Sequence, residues 1–130
     1  MSNDAADLSS FNRHMGFEVE DLEDGHSQLA LGEGHDLRNE LGIVHGGVAM
    51  ALLDSAMGRT AVRSLEPGST AATVQFSVQF LAPAEGRLTA TARVVRGGRS
   101  VCFMEGECRR ADGTLVARAH GTWVVRRPGA

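Results

Sequence analysis

Lysine and tyrosine are absent from this chain of 130 residues, which contains only two cysteines, three prolines and one tryptophan. All 13 basic residues are therefore arginines, and with 16 acidic residues they give a formal net charge of −3. The arginines form no long basic run. This composition argues against a nucleic-acid partner.

A long apolar segment is also missing, so no stretch is expected to span a membrane. The polar, acidic N-terminus MSNDAADLSS does not resemble a secretory or transit peptide. If Cys102 and Cys108 share one extended strand, about 20 Å separates them, which is too far for a disulfide. Free thiols that pack in a core fit the cytoplasm. We therefore expect a cytoplasmic protein with no membrane partner.

Length and composition predict one domain over residues 1–130, because a hydrophobic content of 42% is enough for a substantial core. Apolar residues at helical spacing predict a short helix from Asp4 to Met15. The Asp24-Gly25 dipeptide predicts a tight turn between two strands, Phe17–Glu23 and His26–Gly32.

After Pro67-Gly68 the apolar pattern changes to alternation, which is typical of half-buried strands. Four strands joined at hairpin spacing are predicted: Thr73–Leu81, Arg87–Arg96, Ser100–Arg110 and Thr114–Val125. One long helix and an antiparallel sheet of about six strands predict a two-layer α+β domain in which the sheet wraps the helix.

The stretch from Asn39 to Gly58 organises the chain. The segment Val48–Val62 lacks proline and is rich in alanine, leucine and methionine, so it predicts the long helix. Gly46 and Gly47 stand at its start, where backbone N–H groups lack intrahelical partners and the helix dipole is positive. Because glycine has no Cβ, a ligand oxygen can approach these N–H groups closely, and Gly46 is a candidate donor.

Asp54 is the only acidic residue of the predicted helix. Its neighbours three and four positions away are uncharged: Met50, Ala51, Met57 and Gly58. A carboxylate in such surroundings is costly unless it is paired or functional. We therefore interpret Asp54 as a candidate catalytic residue beside an apolar, adaptable pocket.

Asn39, His45-Gly46-Gly47 and Asp54 together resemble a known family. The pattern Asn-x5-His-Gly-Gly followed by a helical Asp is similar to the hotdog-fold acyl-CoA thioesterases, in the branch of phenylacetyl-CoA (PaaI-type) and aryl-CoA thioesterases. The order of elements matches as well. The resemblance implies a hotdog fold and hydrolysis of an aryl- or medium-chain acyl-CoA to the free acid and CoA. No cofactor is implied, because water is the second substrate.

The resemblance also implies roles for individual residues. Gly46 would donate its N–H to the thioester carbonyl, and Asp54 would act as the nucleophile or as the general base. Asn39 would orient the water or the thioester, or else cap its own loop. His45 would cap the loop or orient Asn39. Thr73 matches a position that helps to hold the water in some members. However, Thr73 alternates in step with the polar residues of its strand, and this pattern favours a surface threonine.

Arg96 and Arg99 flank a Gly-Gly turn. Arginines at a rim suit the phosphates of CoA, and an ordinary solvated hairpin tip explains the pattern equally well. The five histidines show no metal-ligand spacing, so no metal is expected.

Two alternative functions remain open. A CoA-ester binding protein without turnover has the same sequence features. A hotdog-type dehydratase or hydratase needs a histidine and an acid side by side. His45 and Asp54 are nine residues apart, about two and a half helical turns, and we expect them to project from opposite sides of the helix.

The family resemblance implies a homodimer at minimum and favours a homotetramer, and open edge strands invite such pairing. Gly46 and Asp54 are separated by about 12 Å along one helix. An Asp side chain is too short to close that gap. We therefore expect each active site to combine Gly46 of one chain with Asp54 of its partner.

Overall fold

The computed structural model describes residues 9–32 and 36–129. In chain order they form α1 (Ser10–Met15), β1 (Phe17–Asp21), β2 (Ser27–Leu31), α2 (Gly46–Arg63), β3 (Thr70–Phe80), β4 (Leu88–Gly97), β5 (Val101–Arg110) and β6 (Leu115–Arg126). The six strands make one antiparallel sheet in the order β1-β2-β4-β5-β6-β3.

The long helix α2 contacts every strand from β2 to β6. Its apolar side chains form the centre of a single core together with the inward side chains of the strands. Gly106 of β5 permits a close approach, because a Cβ there would lie about 3 Å from Met57 and Leu53 of α2. This is the predicted α+β architecture, in which one long helix is wrapped by a six-stranded antiparallel sheet.

Most element boundaries agree with the sequence prediction within three residues. The helix α2 begins at Gly46 rather than at Val48, so both glycines are its first helical residues instead of loop residues. Of the helix predicted from Asp4 to Met15, the structure describes only α1. The first residues of the predicted helix lie outside the described part of the chain.

The connection between β3 and β4 corrects one prediction. Their hairpin spacing predicted neighbouring strands, but β3 pairs with β6 at the sheet edge, and β4 pairs with β2 and β5. The connecting segment crosses the end of the sheet, where the N–H groups of Leu81 and Ala82 donate to the carbonyl of Val116. These hydrogen bonds replace a local turn, so spacing alone predicted the wrong neighbour.

Both cysteines lie on β5 and are free and buried, as predicted. Burial raises the pKa of the Cys108 thiol to about 12, which suits packing rather than nucleophilic chemistry. Within the described residues, no helix combines the length and the hydropathy needed to cross a membrane.

An ion-pair network joins the C-terminal half of α2 to β1. The Arg59 guanidinium donates two hydrogen bonds to the Asp21 carboxylate, of 2.7 and 2.6 Å, and the Ser27 hydroxyl donates a third. Arg63 also lies 3.8 Å from this carboxylate. Chiefly through the hydrogen bonds from Arg59, this environment lowers the pKa of Asp21 to about 2.

This pKa predicts an acid-dependent loss of stability. The folded pKa of Asp21 lies below its unfolded value, so the ionised network stabilises the protein at neutral pH and is lost as the pH falls from about 4 toward 2. Since the side chain is 35% exposed, solvent screening reduces the contribution to about 1 kcal/mol. Asp21→Asn should lower the free energy of unfolding by that amount at pH 7.

Chemical denaturation at several pH values measures this effect. The difference between Asp21→Asn and the unmodified protein should shrink as the pH is lowered. Glu23→Gln is the control, because Glu23 has no ion pair among the residues that the structure describes. A difference that stays constant down to pH 2 would show that the network contributes through packing instead.

Candidate active site

The N-terminus of α2 carries a prepared hydrogen-bond donor. His45 is the N-cap, and its Nδ1 accepts from the N–H of Gly47 at 2.8 Å. The N–H of Gly46, the first helical residue, has no acceptor among the described residues. Because the helix dipole is positive at this end, the Gly46 N–H suits an oxygen that carries developing negative charge.

An aromatic ring lies directly beside this donor. A Cβ added at Gly46 would meet the ring of Phe80 at 3.2 Å. Phe80 is the last residue of β3 and is 53% exposed. The absence of a side chain at Gly46 therefore leaves a narrow space between the helix start and an apolar wall.

Asp54 lies half-buried in the middle of α2 and is fixed by a strand residue. The Thr73 hydroxyl donates to Asp54 Oδ1 at 2.7 Å. This hydrogen bond holds the carboxylate in one orientation and leaves its other oxygen available.

The structure corrects the predicted orientation of Thr73, which rested on the alternation of residues along β3. The register of β3 against β6 shifts between Thr73 and Gln75, so Thr73 lies opposite the inward-facing Trp123 rather than on the outer face with Gln75. A β-bulge adds one residue and reverses the alternation beyond it. Thr73 is exposed in a single chain, yet it faces the helix and contacts Asp54.

A cavity of about 290 Å³ opens beside Asp54. The strand residues that line it are mostly apolar: Val19, Leu29, Ala71, Thr73 and Trp123. The helices contribute the other wall, which is mostly polar: Ser9 and Asn12 from the N-cap and body of α1, and Asp54, Ser55, Gly58 and Arg59 from α2. An apolar floor with a few polar groups is the usual composition of a small-molecule site.

The remaining candidate residues are distributed over three places. Gly58 lines the cavity, as predicted for a pocket residue. Met57 is fully buried in the core and does not line it, and Met50 is 40% exposed on the surface of α2. Gly47 has its N–H occupied by His45. Among these residues, only Gly58 lines the cavity beside Asp54.

Asn39 belongs to the loop before α2. Its Oδ1 accepts from the N–H of Leu41 at 2.9 Å, and its own N–H donates to the carbonyl of Ile43. Both bonds stabilise the loop, which is one of the two roles that the sequence allows. His45 likewise takes the capping role rather than orienting Asn39.

Arg96 lies near the end of β4, and Arg99 lies in the turn that leads to β5. Arg127 binds the carbonyls of Gly98 and Arg99 and pairs with Glu66, which follows the C-terminal end of α2. The turn is therefore held at the end of the helix opposite to Gly46. Within one chain these arginines are not brought together with the Gly46 donor.

Sequence reasoning did not identify Trp123, Asn12, Ser55 or Arg59 as cavity residues. Alternation along β6 places Trp123 on the inward face, so its orientation is readable from the sequence. Asn12 reaches the cavity because α1 packs beside it, and the Asn12 side chain accepts a hydrogen bond from Ser55. No local pattern indicates that contact.

The fold and site define a hotdog protein, since a single long helix carries a free donor at its start and a fixed carboxylate at its middle inside a wrapped sheet. The model of the thioesterase superfamily matches residues 41–117. The chain therefore belongs to this superfamily, and it is a thioester hydrolase. The resemblance carried by Asn39, the His-Gly-Gly motif and Asp54 is confirmed at the level of the family.

Individual relatives support the same assignment. A Saccharolobus solfataricus protein named "putative esterase" is 36% identical over 87% of this chain and 75% of its own. The medium/long-chain acyl-CoA thioesterase YigI of Salmonella typhimurium is 30% identical over 88% of this chain and 84% of its own. The crystal structure of BH2602 from Bacillus halodurans, solved with CoA, has a TM-score of 0.85 and 31% identity over 93% of this chain and 81% of that one.

Proposed function

We propose that residues 1–130 form a single hotdog thioesterase domain that hydrolyses an aryl- or medium-chain acyl-CoA to the free acid and CoA. The observation that carries the proposal is the Asp54 carboxylate, fixed by Thr73 beside a cavity of about 290 Å³. This space suits one aromatic ring or a medium chain. The similarity to an acyl-CoA thioesterase and to a structure with CoA supports CoA as the thiol.

In the proposed reaction, the Gly46 N–H donates to the thioester carbonyl oxygen and stabilises the charge that develops there. Asp54 either attacks the carbonyl carbon or activates the water that does so. The carbon–sulfur bond breaks, and the CoA thiolate takes up a proton of the water, through Asp54 in the base route and after hydrolysis of the anhydride in the nucleophile route. If Asp54 is the nucleophile, water then cleaves the acyl-enzyme anhydride and restores the carboxylate. Water supplies the new acid oxygen in both routes.

We propose that two chains build each site. Gly46 and Asp54 lie eight residues apart on α2, about 12 Å along the axis, so one chain does not place both groups on one carbonyl. Two antiparallel copies of α2 side by side would bring the start of each helix to the Asp54 of the other. The two-fold axis then creates two equivalent sites.

The free edge of β3 is our proposed contact between the two chains. β3 is eleven residues long and ends the sheet. Its exposed apolar side chains include Val74 at 61% and Phe80 at 53%. The other edge strand, β1, has five residues with the sequence FEVED, and its acidic side chains oppose strand pairing.

We further propose that two dimers pair through the outer sheet face. Val95, Phe103 and Val124 are exposed there by 49%, 46% and 39%, which leaves apolar surface for a second dimer. Light scattering on the purified protein should give the mass of a tetramer or of a dimer. A stable and active monomer would contradict both proposed contacts.

Thiol release with DTNB tests the proposed function. We expect release of one thiol per acyl group from benzoyl-, phenylacetyl-, hexanoyl- or octanoyl-CoA, with acetyl-CoA and palmitoyl-CoA as the short and long limits. Calorimetric binding of these esters without thiol release would instead show a CoA-ester binding protein. Within one chain, His45 and Asp54 are nine residues apart and do not form the pair that a dehydratase needs, so only a pair shared between chains could serve that reaction.

Thr73 should act as a positioning residue for Asp54. Thr73→Val removes the hydroxyl donor at nearly constant volume, and we expect kcat to fall roughly tenfold with little change in KM. Thr73→Ser, which restores the donor, is the matched control and should recover most of the activity. Equal kcat values for the valine and serine variants would show that the hydrogen bond is unimportant.

A further inference from the structure

The floor of the Asp54 cavity contains an indole N–H donor. Trp123 is 1% exposed and lines the cavity. Its indole Nε1 lies near Gly58, where an added Cβ would be 3.3 Å from the nitrogen. No hydrogen bond from this N–H is present among the described residues, and the nitrogen keeps some access to the cavity, because His26 Nδ1 is the only fully enclosed side-chain nitrogen or oxygen without a hydrogen-bond partner there. When a ligand fills the cavity and displaces water, an indole N–H that is left without an acceptor is costly.

Several other polar groups of the cavity have protein partners. The Arg59 guanidinium binds Asp21. The Ser55 hydroxyl donates to Asn12 Oδ1. Asp54 accepts from Thr73. The Trp123 N–H differs from these groups, since it has no protein partner in the described part of the chain and lies beside Gly58 on the lining of the cavity.

We propose that the Trp123 N–H selects acyl groups that carry an oxygen acceptor, an inference that rests on the proposed thioesterase function of this site. Gly58 follows Asp54 by four residues, so the helix position beside this donor lies about one turn, roughly 6 Å, beyond the reacting carboxylate along α2. The acceptor is a hydroxyl or carbonyl oxygen at that distance from the thioester carbon. An all-hydrocarbon acyl group leaves the donor unpaired.

Gly58 contributes to the same proposed recognition of the acyl group. Its missing side chain leaves the indole N–H accessible from the cavity, because a methyl group there would lie 3.3 Å from Nε1. Glycine within a helix is otherwise disfavoured relative to alanine. The two residues together offer a donor and an open path to it.

Two chain variants test the inference by different routes. Trp123→Phe removes the N–H and keeps an aromatic ring against Phe76, which packs on Trp123 in the native chain. Gly58→Ala keeps the indole and covers its N–H with a methyl group. Alanine also favours the helix, so this variant keeps the inference testable if Trp123→Phe fails to fold.

The probes are hexanoyl-CoA and 5-oxohexanoyl-CoA, which have the same chain length and differ by an acceptor-only ketone. In the native protein we expect kcat/KM to be roughly fivefold higher for the ketone, the value of one net hydrogen bond. In both variants the ratio should fall to about one or below, since the ketone is then buried without a donor. A ratio at or below one in the native protein, or an unchanged preference in both variants, overturns the inference.

Binding of both esters to Asp54→Asn, measured as dissociation constants, distinguishes failure of this inference from failure of the proposed function. If the native protein releases no thiol but this variant binds the ketone roughly fivefold more tightly, the donor role stands and the thioesterase proposal fails. If both esters are cleaved and also bound without preference, the donor role fails and the thioesterase proposal stands.

Discussion

Asp54→Asn is expected to lower kcat by about a thousandfold while leaving the fold and the affinity for a CoA ester largely unchanged. The amide has the shape of the carboxylate but neither attacks a carbonyl nor accepts a proton from water. Its Oδ1 still accepts the hydrogen bond from Thr73, so the local structure is retained. Because the carboxylate acts only in the reaction, the loss should appear in kcat rather than in binding.

Asp36→Asn is the matched control, because Asp36 is exposed and pairs with Arg38 in the loop before α2. It should leave thiol release unchanged. Thiol release is followed with DTNB, binding by calorimetry and folding by thermal denaturation. Turnover by folded Asp54→Asn within a few-fold of the native rate would show that Asp54 is not catalytic.

Gly46→Pro should have the second largest effect, a loss of about a hundredfold or more in kcat. Proline removes the one N–H at the helix start that has no acceptor in the described structure. Gly46→Ala is the matched control, since it adds the same Cβ beside Phe80 and keeps the N–H. If the donor matters, alanine should retain far more activity than proline.

The local backbone can accommodate this proline. Gly46 is the first helical residue, where proline is favoured because its missing N–H has no intrahelical role. The preceding residue, His45, has φ −57° and ψ 136°, within the extended region that a following proline requires. Equal losses for the alanine and proline variants would assign the effect to contact with Phe80 rather than to the lost donor.

Features of this structure that depend only on neighbouring residues could be predicted from the sequence. The composition of α2 and the two glycines at its start predicted the helix and the donor there, because helix propensity and unpaired N–H groups are local properties. Alternation also predicted a half-buried strand for β4, in which Leu88, Ala90 and Ala92 are buried and Val94 is partly buried. Asp54 was identifiable because it is the single acid of an apolar helix.

Other features depend on contacts between distant segments and were not readable. The partner of β3 is β6, although β4 follows it more closely in the chain. The register shift after Thr73 is a property of the pair β3–β6, and it reversed the predicted orientation of that threonine. The isolated N–H of Trp123 required knowledge of every group around the cavity.

The most direct test of the shared active site is complementation between Asp54→Asn and Gly46→Pro. Each variant alone should be nearly inactive. In a mixed dimer, one site inherits both lesions and the other inherits neither, because the interface is two-fold symmetric.

Equal amounts of the two variants are dissociated, mixed and allowed to re-associate, and thiol release from an acyl-CoA that the native protein cleaves is measured. Chain exchange is confirmed independently with a size tag on one variant. Random association should restore up to about a quarter of native activity, since half of the dimers are mixed and each has one intact site. No recovery after confirmed exchange of folded chains would contradict a site built from Gly46 of one chain and Asp54 of the other.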